Sequence, residues 1–293
     1  MKILITGARG QLGREIEECF KRGYTELGTP DVLKLENECT FVDIDTLDIS
    51  DTKAVTELFE KERFDAVINC AAYTNVNKCE TERTLAFKAN AIGPRNLAMA
   101  AKKVGAKLLH VSTDYVFAGD GCVPYTEWDL PAPVSVYGKS KYLGEQYVRE
   151  FADKYFILRT SWLYGYYGPN FVKTMMKIAR EQGKCRVVCD QRGNPTNAAD
   201  LAHHILKLLT TEEYGVYHAT GKGECSWFEF TEKIVEYAGI DATVSPCTTD
   251  EYPTPAKRPA YSHLANAMLE ATVGDEFREW TDALSAFMKN YHE

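Results

Sequence analysis

The strongest constraint on the fold is a group of three glycines that directly follows an apolar segment at the start of the chain. Lys2–Thr6 predicts a short buried strand, and Gly7, Gly10 and Gly13 follow in TGARGQLG. Apolar residues then recur at helical spacing over residues 11–21. A glycine turn between a strand and a helix lets the backbone approach a pyrophosphate, and the helix N-terminus attracts the anion. The sequence therefore predicts a dinucleotide-binding unit that begins at residue 2.

Strand and helix patterns alternate through the first half of the chain. The predicted strands cover residues 2–6, 40–44, 65–70, 107–111 and 155–158. Helices are predicted between them at residues 11–21, 54–61, 81–104 and 136–151, with Gly93-Pro94 expected to interrupt the third. This order predicts an α/β fold, a Rossmann-type doubly wound parallel sheet.

The alternation loosens in the second half. Helices are predicted at residues 171–181, 200–209, 227–238 and 277–288, strands at 186–189 and 217–219, and an ordered loop at 243–259. We expect a dinucleotide-binding domain over residues 1–160 and a smaller, mainly substrate-binding lobe over residues 161–293. A segment at about 186–217 is expected to return to the first domain, so the two lobes should be interleaved.

Composition excludes several partner classes. The net charge is −8 at pH 7 and no run of Lys or Arg occurs, which argues against nucleic acid or an anionic membrane surface as a partner. The nine cysteines form no CxxC motif, so we expect reduced thiols in a cytoplasmic protein and no metal site. No apolar run approaches the length of a membrane span.

Two charged residues bear on the choice of cofactor. Asp43 ends the second predicted strand, where an acid can bind the ribose 2′-hydroxyl of NADH. Arg9 lies in the glycine loop and could instead hold the 2′-phosphate of NADPH. NADH and NADPH therefore both stay open as the cofactor. Further contacts are expected beside the adenine and at the end of the third strand, from Asp48, Ile49, Cys70, Ala71, Ala72 and Tyr73.

A tyrosine and a lysine four residues apart predict the chemistry. Tyr137 and Lys141 share one face of a predicted helix. A lysine ammonium beside a phenol stabilises the phenolate and lowers the tyrosine pKa. A phenol tuned in this way can donate a proton to a carbonyl oxygen as a hydride arrives. Thr113 ends the fourth predicted strand, and the combination predicts an oxidoreductase that moves a hydride to or from an oxygen-bearing carbon.

These blocks together resemble a known family. TGARGQLG, NCAAYTNVNKCE, NAIGPRNLA, STDYVFAG and YGKSKYLGE are similar to blocks of the extended short-chain dehydrogenase/reductases. RTSWLYG, NFVKTM, DQRGNPT and PAKRPAYSHL resemble one branch, the family of dTDP-4-dehydrorhamnose reductases. The resemblance runs over nearly the whole chain. It implies NAD(P)H-dependent reduction of the C4 ketone of dTDP-4-dehydro-L-rhamnose, giving dTDP-L-rhamnose.

The resemblance also implies roles for individual residues. Thr113 would hydrogen-bond the substrate oxygen, Tyr137 would be the general acid, and Lys141 would tune it and hold the nicotinamide ribose. The same comparison implies further cofactor contacts from Gln11, Leu12 and Asn90. It implies substrate contacts from Thr74, Val76, Asp114, Tyr115, Trp162, Gln191, Asn194 and Arg258. A guanidinium suits a diphosphate, so Arg258 is the cation expected there.

Two other functions stay open at this point. One is a nucleotide-sugar epimerase or dehydratase of the same superfamily, although Tyr115 stands where such dehydratases carry Glu. The other is a non-catalytic regulatory subunit of the methionine adenosyltransferase beta type. Asn77 and Ala118 depart from the family pattern, which often has Asp at both positions. The oligomeric state is not fixed either, and a homodimer is one alternative.

Overall fold

The structure is a computed structural model, and it describes residues 1–292. In that part of the chain the strands are β1 (Lys2–Thr6), β2 (Glu38–Val42), β3 (Ala66–Asn69), β4 (Lys107–Thr113), β5 (Tyr155–Thr160), β6 (Leu163–Tyr164), β7 (Lys184–Val188), β8 (Arg192–Gly193), β9 (Thr196–Asn197), β10 (Gly215–His218), β11 (Cys225–Ser226) and β12 (Thr243–Cys247). The α-helices are α1 (Gln11–Arg22), α2 (Thr52–Glu62), α3 (Val76–Thr81), α4 (Arg83–Phe87), α5 (Gly93–Val104), α6 (Val136–Phe151), α7 (Phe171–Gln182), α8 (Ala198–Leu209), α9 (Trp227–Tyr237), α10 (Ala267–Ala271) and α11 (Trp280–Asn290).

Six parallel strands form the central sheet in the order β10-β5-β4-β3-β1-β2. Both faces are covered, which explains why the strands are apolar along their length rather than alternating. Helices α1 and α8 pack on one face against Ile3 and Ile5 of β1. Helices α2, α5 and α6 pack on the other face against Leu4 of β1 and Val67 of β3. The predicted Rossmann-type α/β fold is confirmed.

Part of the second half of the chain returns to this sheet. Helix α8 covers the first face through Leu201 and Ile205, and β10 then pairs with β5 at the edge. Strand β7, which lies in the segment predicted to return, pairs instead with β12 in a separate two-stranded sheet. Its burial alternates, with Cys185 and Val187 buried and Lys184 and Arg186 exposed, as suits a half-covered strand. The return therefore spans residues 198–218.

The second lobe is built on α7, α9 and α11. Tyr164, Phe230 and Phe287 are the large aromatic side chains at its core. The sequence predicted a loop over residues 243–259, and the structure places β12 at its start. That prediction was wrong because Pro246 lies in a short strand with one neighbour, where a missing N–H costs nothing.

The helix predicted over residues 81–104 is interrupted as expected. It consists of α4, a π-helical stretch at Lys88–Ile92, and α5 with Pro94 in its first turn. Asn90 in the π-helical stretch is fully buried, and its amide nitrogen donates to Ser140 Oγ of α6 at 3.0 Å. A Cβ on Gly144 of α6 would collide with the Asn90 carbonyl. The irregular turn therefore fixes the position of α6 over the sheet.

Within residues 1–292, no helix combines the length and the apolar character needed to cross a membrane. No cluster of three or more His, Cys, Asp or Glu side chains in that range could hold a metal ion.

Candidate active site

Gly7 and Gly13 of the glycine loop are packed too tightly to carry a side chain. A Cβ on Gly7 would lie 2.7 Å from the Ala71 nitrogen, and one on Gly13 would collide with the Gly7 carbonyl. Gly10 is the N-cap of α1 and has no side chain to bind the first N–H groups of that helix. These groups and the positive end of the helix dipole suit an anion. The loop therefore fits the pyrophosphate of a dinucleotide.

Gln11 and Leu12, which follow the glycine loop, make different contacts. Leu12 is buried in the core, whereas the Gln11 amide donates to the Leu163 carbonyl at 3.1 Å and accepts from Asn170 at 2.9 Å. Gln11 therefore ties the loop to the second lobe. Ala71, at the end of β3, lies directly over Gly7, and the amide of Asn90 holds the backbone of Tyr73 in both directions. The backbone after β3 is therefore held in place beside the glycine loop, where a cofactor is expected to pass.

Asp43 lies where the sequence predicted it, at the end of β2 beside the loop. Its carboxylate accepts from the backbone N–H groups of Arg9 at 2.9 Å and Ile44 at 2.8 Å. The Arg9 guanidinium is paired with the Asp45 carboxylate at 2.6 Å, and both side chains are exposed. A cavity of about 410 Å³ opens here, lined in part by Arg9, Asp43 and Thr46. An acid and an exposed cation therefore lie together beside the glycine loop.

Asp48 and Ile49, the two residues expected beside the adenine, differ in how far they are buried. Ile49 is 6% exposed and packs in the core, where it occupies the space that a side chain at Gly93 would need. Asp48 is exposed, and its carboxylate accepts from the Ser50 N–H at 2.8 Å. Of the two, only Asp48 presents its side chain to solvent.

Tyr137 lies in the first turn of α6. Ser135 caps this helix by accepting from the Gly138 N–H at 3.1 Å. A Cβ on Gly138 would collide with the Tyr115 carbonyl, so the helix start is pressed against the turn that follows β4. The rings of Tyr137 and Tyr115 meet edge to face, with centroids 5.5 Å apart. Thr113, Tyr115 and Tyr137 therefore form one packed unit.

The electrostatics of the Tyr137–Lys141 pair differ from the prediction. Burial raises the pKa of Tyr137 above its ordinary value, and the neighbouring Thr113 hydroxyl offsets this only in part. Lys141 is also buried, which lowers its pKa to about 8. Its ammonium donates to the Val111 carbonyl of β4 at 2.6 Å. Desolvation thus dominates the pKa of Tyr137 and keeps the phenol protonated, as a proton donor requires.

Thr113 and Asp114 are joined side chain to side chain. The Thr113 hydroxyl donates to Asp114 Oδ1 at 2.9 Å and accepts from the Tyr115 N–H at 3.2 Å. Asp114 is 2% exposed, and burial raises its pKa to about 6. Among the described residues Asp114 Oδ2 has no hydrogen-bond partner. A buried polar atom without a partner is rare and marks a position where a ligand group can bind.

Arg258 contacts this turn, and Trp162, just after β5, has an unusual backbone conformation. The Arg258 guanidinium interacts with the Tyr115 phenol, and its buried Nε has no partner within residues 1–292. Trp162 has a φ of 45°, which is uncommon for a residue with a large side chain. Its ring stacks on Trp227 with centroids 3.6 Å apart. Backbone strain of this kind is concentrated at ligand sites.

The other predicted substrate residues are placed differently from one another. Gln191 is buried, and its amide donates to the Thr249 hydroxyl at 3.0 Å. Asn194 is also buried. Its side-chain amide forms hydrogen bonds with backbone groups of Gly221, Gly223 and Leu264, so it joins three loops. Thr74 is exposed and Val76 begins α3. Substrate contacts from these four residues stay predictions.

Comparison with known proteins identifies the family. The model of the RmlD substrate binding domain matches residues 1–293. The chain belongs to this family. It is 40% identical to the spore coat polysaccharide biosynthesis protein SpsK of Bacillus subtilis, over 98% of this chain and 97% of the relative.

Two solved structures of the RmlD family are similar over nearly their full lengths. A dTDP-4-dehydrorhamnose reductase from Clostridium acetobutylicum is 48% identical, with a TM-score of 0.93 and 99% of both chains covered. A dTDP-4-dehydrorhamnose reductase from Bacillus anthracis, in complex with NADP, is 45% identical, with a TM-score of 0.91 and 98% of both chains covered. The family resemblance found in the sequence is confirmed.

One functional feature of this RmlD-family chain was missed from the sequence. Glu145 and Arg159 form an ion pair at 2.8 Å, and the side chains are 0% and 1% exposed. Ser112 of β4 donates to the same carboxylate at 2.5 Å. Glu145 follows Tyr137 and Lys141 at successive steps of four on α6, so the pair anchors this helix to the sheet. That spacing, and a lone arginine in an apolar strand, were the available indications.

Proposed function

We propose that this protein reduces the C4 ketone of dTDP-4-dehydro-L-rhamnose to dTDP-L-rhamnose, with NADH or NADPH as reductant. The observation that carries the proposal is the half-buried, protonated phenol of Tyr137. It lies on α6 beside the carboxyl end of β4, in a fold whose glycine loop fits a dinucleotide. The full-length likeness to solved reductases of that name supports it.

Tyr137 and Lys141 have different roles in the proposed reduction. A bound reduced nicotinamide supplies the hydride for the ketone carbon. Tyr137 then donates its phenolic proton to the ketone oxygen, so that an alcohol forms as negative charge develops there. Lys141 keeps a positive charge under the site while its pKa of about 8 exceeds the ambient pH, which favours the transient phenolate. Solvent returns the proton afterwards.

The competing functions fit this site less well. A dehydratase needs a second acid or base beyond the tyrosine, and Tyr115 stands where that group would be. Burial raises the pKa of Tyr115 to about 12, so its phenol is no base near neutral pH. A regulatory subunit needs no proton donor, yet Tyr137, Lys141 and Thr113 are all present and packed together.

The deciding experiment is an assay of the purified chain alone with dTDP-4-dehydrorhamnose. We expect loss of absorbance from NADH, NADPH or both, with one dTDP-rhamnose formed for each cofactor oxidised. Failure to oxidise either cofactor would contradict the proposal. A product that keeps the ketone would instead favour the epimerase alternative.

We also propose a cytoplasmic location and a homodimer as the assembly to test. All nine cysteines are free in the structure, and free thiols suit a reducing compartment. Light scattering of the purified protein would measure the mass of the assembly, and a monomer mass would contradict the dimer.

Asp43 is expected to set the preference between the two cofactors. A carboxylate there binds a ribose 2′-hydroxyl and repels a 2′-phosphate, so NADH should be used at least as well as NADPH. We expect Asp43→Asn, which keeps an acceptor for the Arg9 N–H, to shift the kcat/KM ratio about tenfold towards NADPH. Asp31→Asn, at an exposed surface pair, is the control. An unchanged ratio in Asp43→Asn would remove Asp43 from the cofactor site.

Arg258 is expected to bind the substrate diphosphate. Loss of a charge-assisted contact costs about 1.5–3 kcal/mol, so Arg258→Ala should raise the KM for the nucleotide sugar about tenfold or more. The Kd for NADH should not change, since the glycine loop lies on the other lobe. Lys257→Ala, at the exposed neighbouring position, is the matched control. Equal weakening of NADH binding would show that Arg258 acts on the fold rather than on the substrate.

A further inference from the structure

The Thr113 hydroxyl has one proton to donate. In this structure it donates to a neighbouring side chain and not towards the expected position of the ketone oxygen. Its oxygen donates to Asp114 Oδ1 at 2.9 Å, while one lone pair accepts the Tyr115 N–H. A threonine hydroxyl offers one donor and two acceptor positions. Only an acceptor position is left while the hydroxyl points at Asp114. In this arrangement Thr113 cannot donate to a ketone oxygen.

We propose that Asp114 is a positioning residue whose protonation state sets the direction of the Thr113 hydroxyl, an inference that rests on the proposed ketone reduction. An ionised carboxylate holds the Thr113 proton. A carboxyl group protonated on Oδ1 donates that proton to the remaining acceptor position of the Thr113 oxygen, while Tyr137 donates to the ketone oxygen, so the Thr113 hydroxyl also turns to the ketone oxygen. The developing oxyanion then receives two hydrogen bonds, from Thr113 and from Tyr137, instead of one.

The surroundings of Asp114 favour such a switch. The carboxyl group is 2% exposed, and Oδ2 has no hydrogen-bond partner by distance among the described residues, although the Ser262 hydroxyl interacts with the carboxylate. The proton that reverses the Thr113 hydrogen bond is one on Oδ1, the oxygen that faces the Thr113 hydroxyl. Four groups face it from other parts of the fold or from its own turn: Tyr115, Tyr137 of α6, Ser262 and, across Tyr115, Arg258. Both tyrosines have raised pKa values and stay neutral. Asp114 is therefore the group in this set that changes charge at mildly acidic pH, since burial raises its pKa to about 6.

The test is the pH profile of kcat for ketone reduction at saturating NADH and nucleotide sugar. In the wild-type protein kcat should fall as the pH rises through about 6, because Asp114 ionises and withdraws the Thr113 donor. The fall should approach the cost of losing one donor to an oxyanion, about 10²-fold in kcat. KM should change little, because the lost contact forms in the transition state. A second decline near the Lys141 pKa of about 8 should occur in all variants.

Four variants separate this role from a structural one. Asp114→Asn should lose the decline near pH 6, since the amide does not titrate there. Thr113→Val should be slower and should also lose it, whereas Thr113→Ser should keep it because the hydroxyl is retained. Asp153→Asn, at an exposed pair far along the chain, should match the wild type.

Two outcomes would overturn the inference. A wild-type decline in Asp114→Asn would show that another group titrates. A decline that persists in Thr113→Val would show that Asp114 does not act through Thr113. Failure of the proposed function is a separate result, because the wild-type protein would then show no ketone reduction at any pH.

Discussion

Replacing Tyr137 with Phe is expected to lower kcat for ketone reduction by about 10²–10⁴-fold, which is roughly 3–5 kcal/mol of activation free energy. The substitution removes the proton donor and keeps the ring that packs edge to face on Tyr115. The Kd for NADH should stay close to its wild-type value, because the phenol oxygen contributes to the transition state and not to the pyrophosphate site. Steady-state kinetics and a cofactor titration measure the two quantities.

The matched control is Tyr147→Phe, which removes a hydroxyl from a half-buried tyrosine on the same helix. It should keep the wild-type kcat. If Tyr137→Phe retained more than half of the wild-type rate, another group would have to supply the proton, and the proposed mechanism would be wrong.

The second large effect is expected at the buried ion pair beneath α6. Glu145→Gln leaves the Arg159 guanidinium buried without a counter-charge, and breaking such a pair from one side costs about 3–5 kcal/mol. Ser112 also loses a charged acceptor for its hydroxyl. We expect the free energy of unfolding, measured by urea denaturation, to fall by that amount.

Two further variants test the origin of this loss. Glu60→Gln removes one member of an exposed pair with Lys103, and exposed pairs contribute about 0–1 kcal/mol. Replacing both partners, with Glu145→Leu and Arg159→Met together, should recover most of the stability, because no unpaired charge is then buried. A loss below about 1 kcal/mol in Glu145→Gln would put the pair in the same class as surface pairs.

The parts of the molecule that the sequence predicted are those set by local patterns. The glycine loop was recognised because its spacing can be read within eight residues, between a strand and a helix. Helix α6 was predicted with the same bounds as in the structure, since Ser135 caps it and Tyr155 soon begins a strand. The interruption before α5 followed from Gly93-Pro94.

The parts that were missed depend on contacts between distant segments. Strand β12 forms because β7 offers a free edge, which no feature of residues 243–247 reveals. The pKa of Tyr137 depends on how deeply α6 is pressed into the protein, and spacing from Lys141 carries no information on burial. Asn194 and its partner Leu264 lie 70 positions apart in the chain, so its use as a loop joint could not be inferred locally.

The late arrival of β10 has a consequence for synthesis of the protein on the ribosome. Strand β5 is complete at Thr160, but its hydrogen-bonding edge is covered only when Gly215–His218 has emerged, and α8 reaches the sheet just before it. During that interval the nascent chain carries an open strand edge and an uncovered apolar face, both of which favour association with other chains. Release of an incomplete chain in this interval should therefore yield a product that depends on chaperones, whereas a chain extended past residue 218 has paired β5 with the short edge strand β10.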